Sequence, residues 1–231
     1  MRDYEKRLTD RDLGILKFLA RYRAATEIHL ADCFFEKTRN LDNVLRVLRR
    51  LGERRLLKCI RCGDELKYYV LTRRAFTLLE MRPRTLRSLT EHSLPVVLAI
   101  TSYCVTHELE RMTNHEFREL FPELWKPCLR SSSYVLAGTN EEMKLEMLLV
   151  DRGGTPRRIR SRIRRVIAQR SGMPHFMSLI NDRCFRVTVL TGTTEQQTKI
   201  ENQIQRESFE PVEVRTSLVD ELADLLLLRT K

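Results

Sequence analysis

The sequence predicts an α/β chain (α+β) with two domains, residues 1–82 and 83–231, because two different patterns follow one another along its 231 residues. Apolar residues recur at helical spacing from about residue 10 to residue 54, and two short β-prone runs follow that segment. After about residue 130, strand-like runs alternate with amphipathic helical segments. A chain of this length is able to bury a separate core in each of two domains.

The basic charge of the chain is concentrated in two regions. The 42 Lys and Arg residues exceed the 31 Asp and Glu residues, which gives a net charge of +11. Residues 1–80 hold 19 basic and 12 acidic residues, residues 81–150 hold 8 and 9, and residues 151–231 hold 15 and 10. A protein that binds nucleic acid concentrates positive charge where the phosphates lie. The distribution therefore favours a nucleic-acid partner.

The sequence predicts a protein of the cytoplasm. Residues 1–7 are mostly charged where a signal peptide would be apolar, and no stretch approaches the roughly 18 apolar residues of a membrane span. The six cysteines are scattered among apolar stretches of a chain that has enough core residues to fold without disulfides. We expect reduced thiols and no membrane partner.

Two helices are predicted at the start of the chain. A first apolar stripe follows a cap at Thr9 or Asp10 and ends near Tyr22. The second helix follows Thr26, has an acidic residue in its first turn, and ends near Phe35.

A third helix is predicted over residues 40–54, with one buried stripe and one polar face. The buried stripe contains Leu41, Val44, Leu45, Leu48 and Leu51. The polar face contains Arg39, Asn40, Asp42, Asn43, Arg46, Arg49 and Arg50. Arginine pairs with guanine and with phosphate, and asparagine pairs with adenine, so these residue types suit major-groove recognition. We expect Asn43, Arg46 and Arg50 to contact bases. Arg39 and Arg49 are expected to contact phosphate, and an ordinary solvent-exposed face is the alternative.

A β-hairpin follows the third helix. Residues 56–61 and 66–71 are β-prone and are joined by the turn residues 62–65. Thr72 then caps another helix. Three helices, a basic hairpin and a closing helix form the order of a winged helix-turn-helix, in which the third helix enters the major groove. Arg61 and Lys67 of the hairpin are expected to contact phosphate, and double-stranded DNA is the predicted partner.

No catalytic residue, metal or cofactor is predicted. Cys59 and Cys62 have the spacing of zinc ligands, but no second Cys or His pair stands near them and a structural zinc site needs four ligands. The five histidines form no close triad in the sequence.

The second domain is predicted to alternate strands and helices. We expect helices over residues 95–109, 114–120, 157–170, 194–206 and 218–228. Strands are expected over residues 134–137, 144–150, 185–190 and 212–215. The strand–helix–strand spacing predicts parallel pairing with right-handed crossovers.

The helix predicted over residues 157–170 carries seven arginines and no acidic residue. Its apolar face has four aliphatic side chains and no aromatic one, which favours packing on a sheet over insertion into lipid. We favour a second phosphate-contacting surface over a protein-docking face. The expected contacts are Arg157, Arg158, Arg162 and Arg165.

Short motifs along most of the chain carry a family resemblance. They are the runs at residues 8–16, 34–35, 47–51, 56–57, 68–72, 91–94 and 150–154. Together they resemble the replication-relaxation family of winged-helix proteins, found on bacterial plasmids and integrated mobile elements. The resemblance implies DNA binding in replication, relaxation, mobilisation or transcriptional control. A homodimer, or a partner such as a replication protein, a relaxase or another mobile-element protein, stays open.

The order of elements in the second domain is similar to the core of PD-(D/E)XK nucleases, and the resemblance implies a degenerate version of it. A working site of this kind joins an Asp on one strand with Glu-x-Lys on the next, so that the carboxylates hold a divalent cation. Leu149 stands where related sequences tend to carry an acid, and Glu142-x-Lys144 has no obvious partner Asp. Because Asp151 is the sole well-placed acid, we expect a non-catalytic domain. A metal-dependent nuclease and a protein-interaction adaptor are the alternatives.

Overall fold

The computed structural model describes residues 8–35, 41–62, 66–81, 89–139 and 142–227. In these residues the chain is a mixed α/β protein that divides into two compact units, residues 1–101 and 102–231. The domain boundary predicted from the sequence, between residues 82 and 83, lies outside the described residues.

The first unit begins with three helices, a hairpin and a short helix. The helices are α1 (Asp10–Tyr22), α2 (Glu27–Phe34), α3 (Leu41–Glu53) and α4 (Arg73–Leu78), and the strands are β1 (Leu57–Cys62) and β2 (Leu66–Leu71). Thr9, Thr26 and Thr72 cap α1, α2 and α4 by accepting backbone N–H bonds. The strands pair antiparallel, as the sequence predicts.

One apolar cluster holds this unit together. It joins α1, α2, α3, the hairpin and α4, and includes Leu16, Leu30, Leu48, Tyr69 and Phe76. Two members of the predicted buried stripe of α3 do not belong to it. Leu41 is 44% exposed and Leu45 is 37% exposed, because the side of α3 that faces the core is the line of Val44, Leu48 and Leu51.

The second unit is built on a four-stranded sheet. Helix α5 (Leu94–Thr106) contains the boundary between the two units, and the elements that follow are α6 (Asn114–Leu120), β3 (Ser133–Ala137), β4 (Lys144–Val150), α7 (Pro156–Ser171), α8 (Pro174–Asn181), β5 (Phe185–Thr191), α9 (Thr194–Gln205), β6 (Glu213–Leu218) and α10 (Glu221–Leu227). The sheet has the order β3-β4-β5-β6. Strands β3 and β4 are antiparallel, whereas β4, β5 and β6 are parallel to one another, which confirms the predicted parallel pairing.

Helices cover one face of this sheet. Met147 and Val187 from the strands share an apolar cluster with Ile163 of α7, Phe176 of α8 and Ile200 of α9. Because side chains alternate between the two faces of a strand, Glu146, Arg186 and Thr188 lie on the opposite face. That opposite face holds the polar cluster described below.

The predicted end of the last strand and the predicted start of the final helix are both wrong. The last strand extends to Leu218 because it stays in register with β5 as far as Thr191, so Leu218 does not begin the final helix.

Helix α8 was not predicted, since it has only eight residues and Gly172 precedes Pro174 at its start. Phe176 and Ile180 anchor it, being fully or almost fully buried one turn apart.

Candidate nucleic-acid interface

Helix α3 presents a polar face to solvent. Asn43, Arg46 and Arg49 are exposed, and within the described residues none of their side chains has a hydrogen-bond or ion-pair partner. The predicted site residues Arg39 and Asn40 lie outside the described residues. This face therefore offers two guanidinium groups and one amide without internal partners.

Arg50, on the same helix, is placed differently. Its Nη2 atom lies 2.5 Å from Oδ1 of Asp12, whose side chain is fully buried at the start of α1. The second carboxylate oxygen of Asp12 accepts a hydrogen bond from the backbone N–H of Thr9. Arg50 was predicted to contact bases, but in the structure one edge of its guanidinium is bound to another helix.

The hairpin brings two basic side chains side by side. Arg61 of β1 and Lys67 of β2 are directly opposite in the register, Arg61 exposed and Lys67 half-buried. Like charges directly opposite one another on two strands are destabilising, so an anion bound between them would relieve the repulsion. These two predicted site residues therefore lie close together.

Helix α7 carries its seven arginines in four different environments. Arg157, Arg158 and Arg165 are exposed and have no ion pair with an acid of the described residues. Arg160 and Arg164 both bind the carboxylate of Glu207, which follows α9. The helix is therefore not uniformly charged around its circumference.

Arg170 is the third case, because it is fully buried. Its guanidinium donates to the hydroxyls of Tyr134 and Ser132, at 2.5 and 2.9 Å. The Arg170 Cζ atom also lies 5.7 Å from the ring centre of Phe176. The sequence held a signal for this burial, since residue 170 is seven positions after the buried Ile163 and so returns to the same face of the helix.

Arg162 does not lie outward as predicted. It is half-buried, and its Nη1 atom donates to the carbonyl oxygen of Val150 at 2.9 Å. Burial lowers the pKa of Arg162, and the positive charges of Arg152, Arg158 and Arg165 lower it further, against the opposing charge of Asp151. Three other guanidinium groups therefore lie close enough to Arg162 to act on its charge at the β4–α7 connection.

The face of the sheet opposite α7, α8 and α9 holds a buried carboxylate that was not predicted. Glu146 is fully buried, accepts from Tyr103 Oη at 2.7 Å, and pairs with Arg186 and Arg215 at 2.5 and 3.0 Å. Burial acts to raise the pKa of Glu146, but hydrogen bonds from Thr188 and Tyr103 and the two arginine charges outweigh burial and lower it. Nothing in the sequence around Glu146 indicates these contacts, because Arg186 and Arg215 lie 40 and 69 positions farther along the chain.

The acidic residues expected in a nuclease site are not brought together. Glu142 is exposed before β4, and Lys144 at the first residue of β4 binds Glu213 at 2.7 Å. Asp151 follows the last residue of the same strand, so about 20 Å of strand separates it from Lys144. Within the described ranges, no three His, Cys, Asp or Glu side chains gather as metal ligands would.

Asp151 makes contacts of its own. Burial raises its pKa, and its Oδ2 accepts from Gln196 Nε2 at 3.0 Å. The same Gln196 amide donates to the carbonyl oxygen of Gly154 at 3.1 Å. Gln196, at the start of α9, therefore holds the turn between β4 and α7 in place.

No protein-family model matches the chain, and no curated protein and no solved structure matches it significantly. Among the residues that the structure describes, no helix is both long and apolar enough to cross a membrane.

Proposed function

We propose that this chain binds double-stranded DNA. In the proposal the first unit acts as a winged helix-turn-helix, with α3 in the major groove and the β1–β2 hairpin as the wing. Asn43 and Arg46 contact base edges, while Arg49, Arg61 and Lys67 contact phosphates. Arg50 contributes by holding α3 against α1, and contacts DNA only with the donors that Asp12 leaves unused.

The observation that carries the proposal is the set of exposed side chains on α3. Arg46 and Arg49 have no internal counter-charge within the described residues, whereas Arg50 of the same helix is neutralised by the buried Asp12 carboxylate of α1. Partnerless guanidinium groups beside an asparagine match the donors that major-groove recognition requires. The like-charged pair of Arg61 and Lys67 adds a phosphate-sized positive site on the hairpin.

The second unit is proposed to extend the DNA footprint without catalysis. We take its sheet to be a degenerate PD-(D/E)XK core and its exposed arginines on α7 to be phosphate contacts. From the family resemblance of the sequence motifs we further propose that this activity belongs to plasmid or mobile-element biology, in replication, relaxation, mobilisation or transcription.

Fluorescence anisotropy with a labelled duplex tests the binding. Combined Arg46→Ala and Arg49→Ala changes are expected to weaken binding, because they remove one base contact and one phosphate contact. Lys17→Ala is the control, since Lys17 is exposed on α1 and lies outside the proposed interface. Equal affinity of the double variant and the control would contradict the proposal.

Incubation of the full chain with supercoiled plasmid and magnesium tests the non-catalytic assignment of the second unit. Intact plasmid is the expected outcome. Cleavage that EDTA abolishes would favour the nuclease alternative.

A further inference from the structure

The turn before α7 and the N-terminal part of α7 carry four neighbouring arginines, and the proposed function takes only some of them as DNA contacts. We name these four residues the arginine row: Arg152, Arg158, Arg162 and Arg165. Positions 158, 162 and 165 are spaced four and three residues apart, so they lie along one side of the helix. Arg152 precedes the helix in the turn after β4 and was not identified from the sequence as a site residue.

The members of the arginine row lie near one another in the structure. The charges of Arg152, Arg158 and Arg165 all act on Arg162, and that of Arg152 acts most strongly among them. The side chain of Arg158 also lies along the turn, since a Cβ atom on Gly154 would come within 3.7 Å of its Cδ. The row therefore spans the turn and the first ten of the sixteen residues of α7.

The acidic residue nearest in sequence does not neutralise the row. Asp151 supplies one negative charge against four positive ones, and its carboxylate accepts a hydrogen bond from Gln196. Arg152, Arg158 and Arg165 are exposed and form no ion pair with any acid of the described residues. The two arginines that the chain does pair, Arg160 and Arg164, point to Glu207 from another side of the helix.

Arg162 anchors the arginine row, because its guanidinium is held in place by a hydrogen bond. It is half-buried and uses one donor on the carbonyl oxygen of Val150, which fixes the direction of its guanidinium. An arginine has five N–H donors, so most of them stay available to an anion. A fixed guanidinium loses less side-chain entropy on binding than an exposed one does.

The length of the row indicates what kind of anion it fits. Arg158 and Arg165 are seven residues apart, which corresponds to about 10 Å along the helix axis. Phosphates of one DNA strand advance about 3.4 Å along the duplex axis for each nucleotide and lie farther apart along the strand itself, so the row and its side chains span about two or three neighbouring phosphates. A single phosphate would leave most of the row without a partner.

We propose that the arginine row tracks consecutive phosphates of one nucleic-acid strand, with Arg152 as its additional member and Arg162 as its anchor. The inference rests on the proposed DNA binding and names the part of the second unit that performs it. It confines the phosphate contacts to one side of α7, so that Arg157, Arg160 and Arg164 contribute none.

Two variants with equal charge loss test this proposal in the full chain. The row variant carries Arg152→Gln, Arg158→Gln and Arg165→Gln. The control variant carries Arg160→Gln, Arg164→Gln and Arg206→Gln, which lie off the row. Glutamine is nearly as good a helix former as arginine, and circular dichroism with thermal unfolding checks that both variants fold.

Anisotropy with a random-sequence duplex is measured against salt for both variants. We expect the row variant to bind about tenfold or more weakly than wild type, with a log–log salt slope flatter by up to about 2.7, at 0.9 per lost contact. The control variant is expected to keep nearly the wild-type slope. Equal losses in the two variants would overturn the proposal, because only the overall charge of the unit would then matter.

Further probes separate the proposal from its alternatives. Inorganic phosphate at the same phosphate concentration as the duplex is expected to displace little DNA, and efficient displacement would overturn the claim of several consecutive phosphates. Vesicles of phosphatidylserine and phosphatidylcholine are expected not to compete, and row-dependent vesicle binding would overturn the nucleic-acid assignment.

Failure of the row and failure of the proposed function give different results. If wild type binds DNA, Arg46→Ala and Arg49→Ala weaken it, and the row variant matches its control, then the row proposal alone is wrong. If wild type binds no duplex, both proposals are wrong.

Discussion

Arg50 and Asp12 form an ion pair that joins α3 to the first turn of α1, with 2.5 Å between Arg50 Nη2 and Asp12 Oδ1. The Asp12 carboxylate is fully buried, and its other oxygen completes the capping box with Thr9. One carboxylate thus fixes the start of α1 and the position of α3. A residue expected to contact DNA contributes instead to the orientation of the helix that presents the other contacts.

Asp12→Asn should therefore destabilise the protein. The change keeps the shape of the side chain but leaves the Arg50 guanidinium without its counter-charge, and we expect a loss of about 1–3 kcal/mol in the free energy of unfolding. Urea denaturation measures it. Asp10→Asn is the control, because Asp10 is an exposed acid in the same turn. Equal effects of the two substitutions would mean that the ion pair does not contribute.

Arg46→Ala and Lys67→Ala should affect DNA binding in different ways. After selection of a preferred duplex from a random library, Arg46→Ala is expected to lose about 1–3 kcal/mol on that duplex and less on random DNA. Lys67→Ala should weaken both duplexes alike, because a phosphate contact carries no sequence information. If the ratio of affinity for the preferred duplex to affinity for random DNA changes by the same factor in both variants, α3 does not recognise sequence.

Glu146→Gln should destabilise the second unit in a pH-dependent way. Near neutral pH we expect a loss of about 3–5 kcal/mol, since Arg186 and Arg215 would face each other without a buried counter-charge. The folded protein lowers the pKa of Glu146, so the charged pair stabilises above the ordinary value of 4.5 and its contribution disappears as pH falls below that value. The difference between wild type and variant should therefore shrink with acidity.

Chemical denaturation at several pH values measures that difference. Glu123→Gln is the control, because Glu123 is 70% exposed and pairs with His175 near the surface, outside the Glu146 cluster. An exposed pair contributes about 0–1 kcal/mol. A wild-type-to-variant difference that stays constant from neutral pH to below the pKa would contradict the role of the Glu146 charge.

Arg170→Ala should be far more damaging than Arg157→Ala, although both residues belong to α7. Removal of Arg170 would leave a cavity and the Tyr134 and Ser132 hydroxyls without their donor, and we expect about 3–5 kcal/mol of lost stability. Arg157 is exposed, so its removal should change stability by less than about 0.5 kcal/mol. Similar melting temperatures for the two variants would be inconsistent with the buried position of Arg170.

Local pattern was sufficient to predict most elements but not the partners of charged residues. The bounds of α6 and β4 agree with the predicted ranges, because the signals that set them are local in the sequence: the cap of α6 and the apolar run of β4. The positions of Arg50 and Glu146 depend on residues 38 and 40 or more positions away, which periodicity does not encode. Arg170 is intermediate, since its position on the apolar face was visible in the sequence although its charge argued for exposure.

The salt dependence of duplex binding by the full chain tests the central claim most directly. Seven proposed phosphate contacts, Arg49, Arg61, Lys67, Arg152, Arg158, Arg162 and Arg165, predict a log–log slope of about −6.3 at 0.9 per contact. Anisotropy titrations between low and moderate salt measure this slope. A slope near this value that flattens to about −3.6 in the row variant is the expected result, and a slope near zero would contradict DNA binding by this protein.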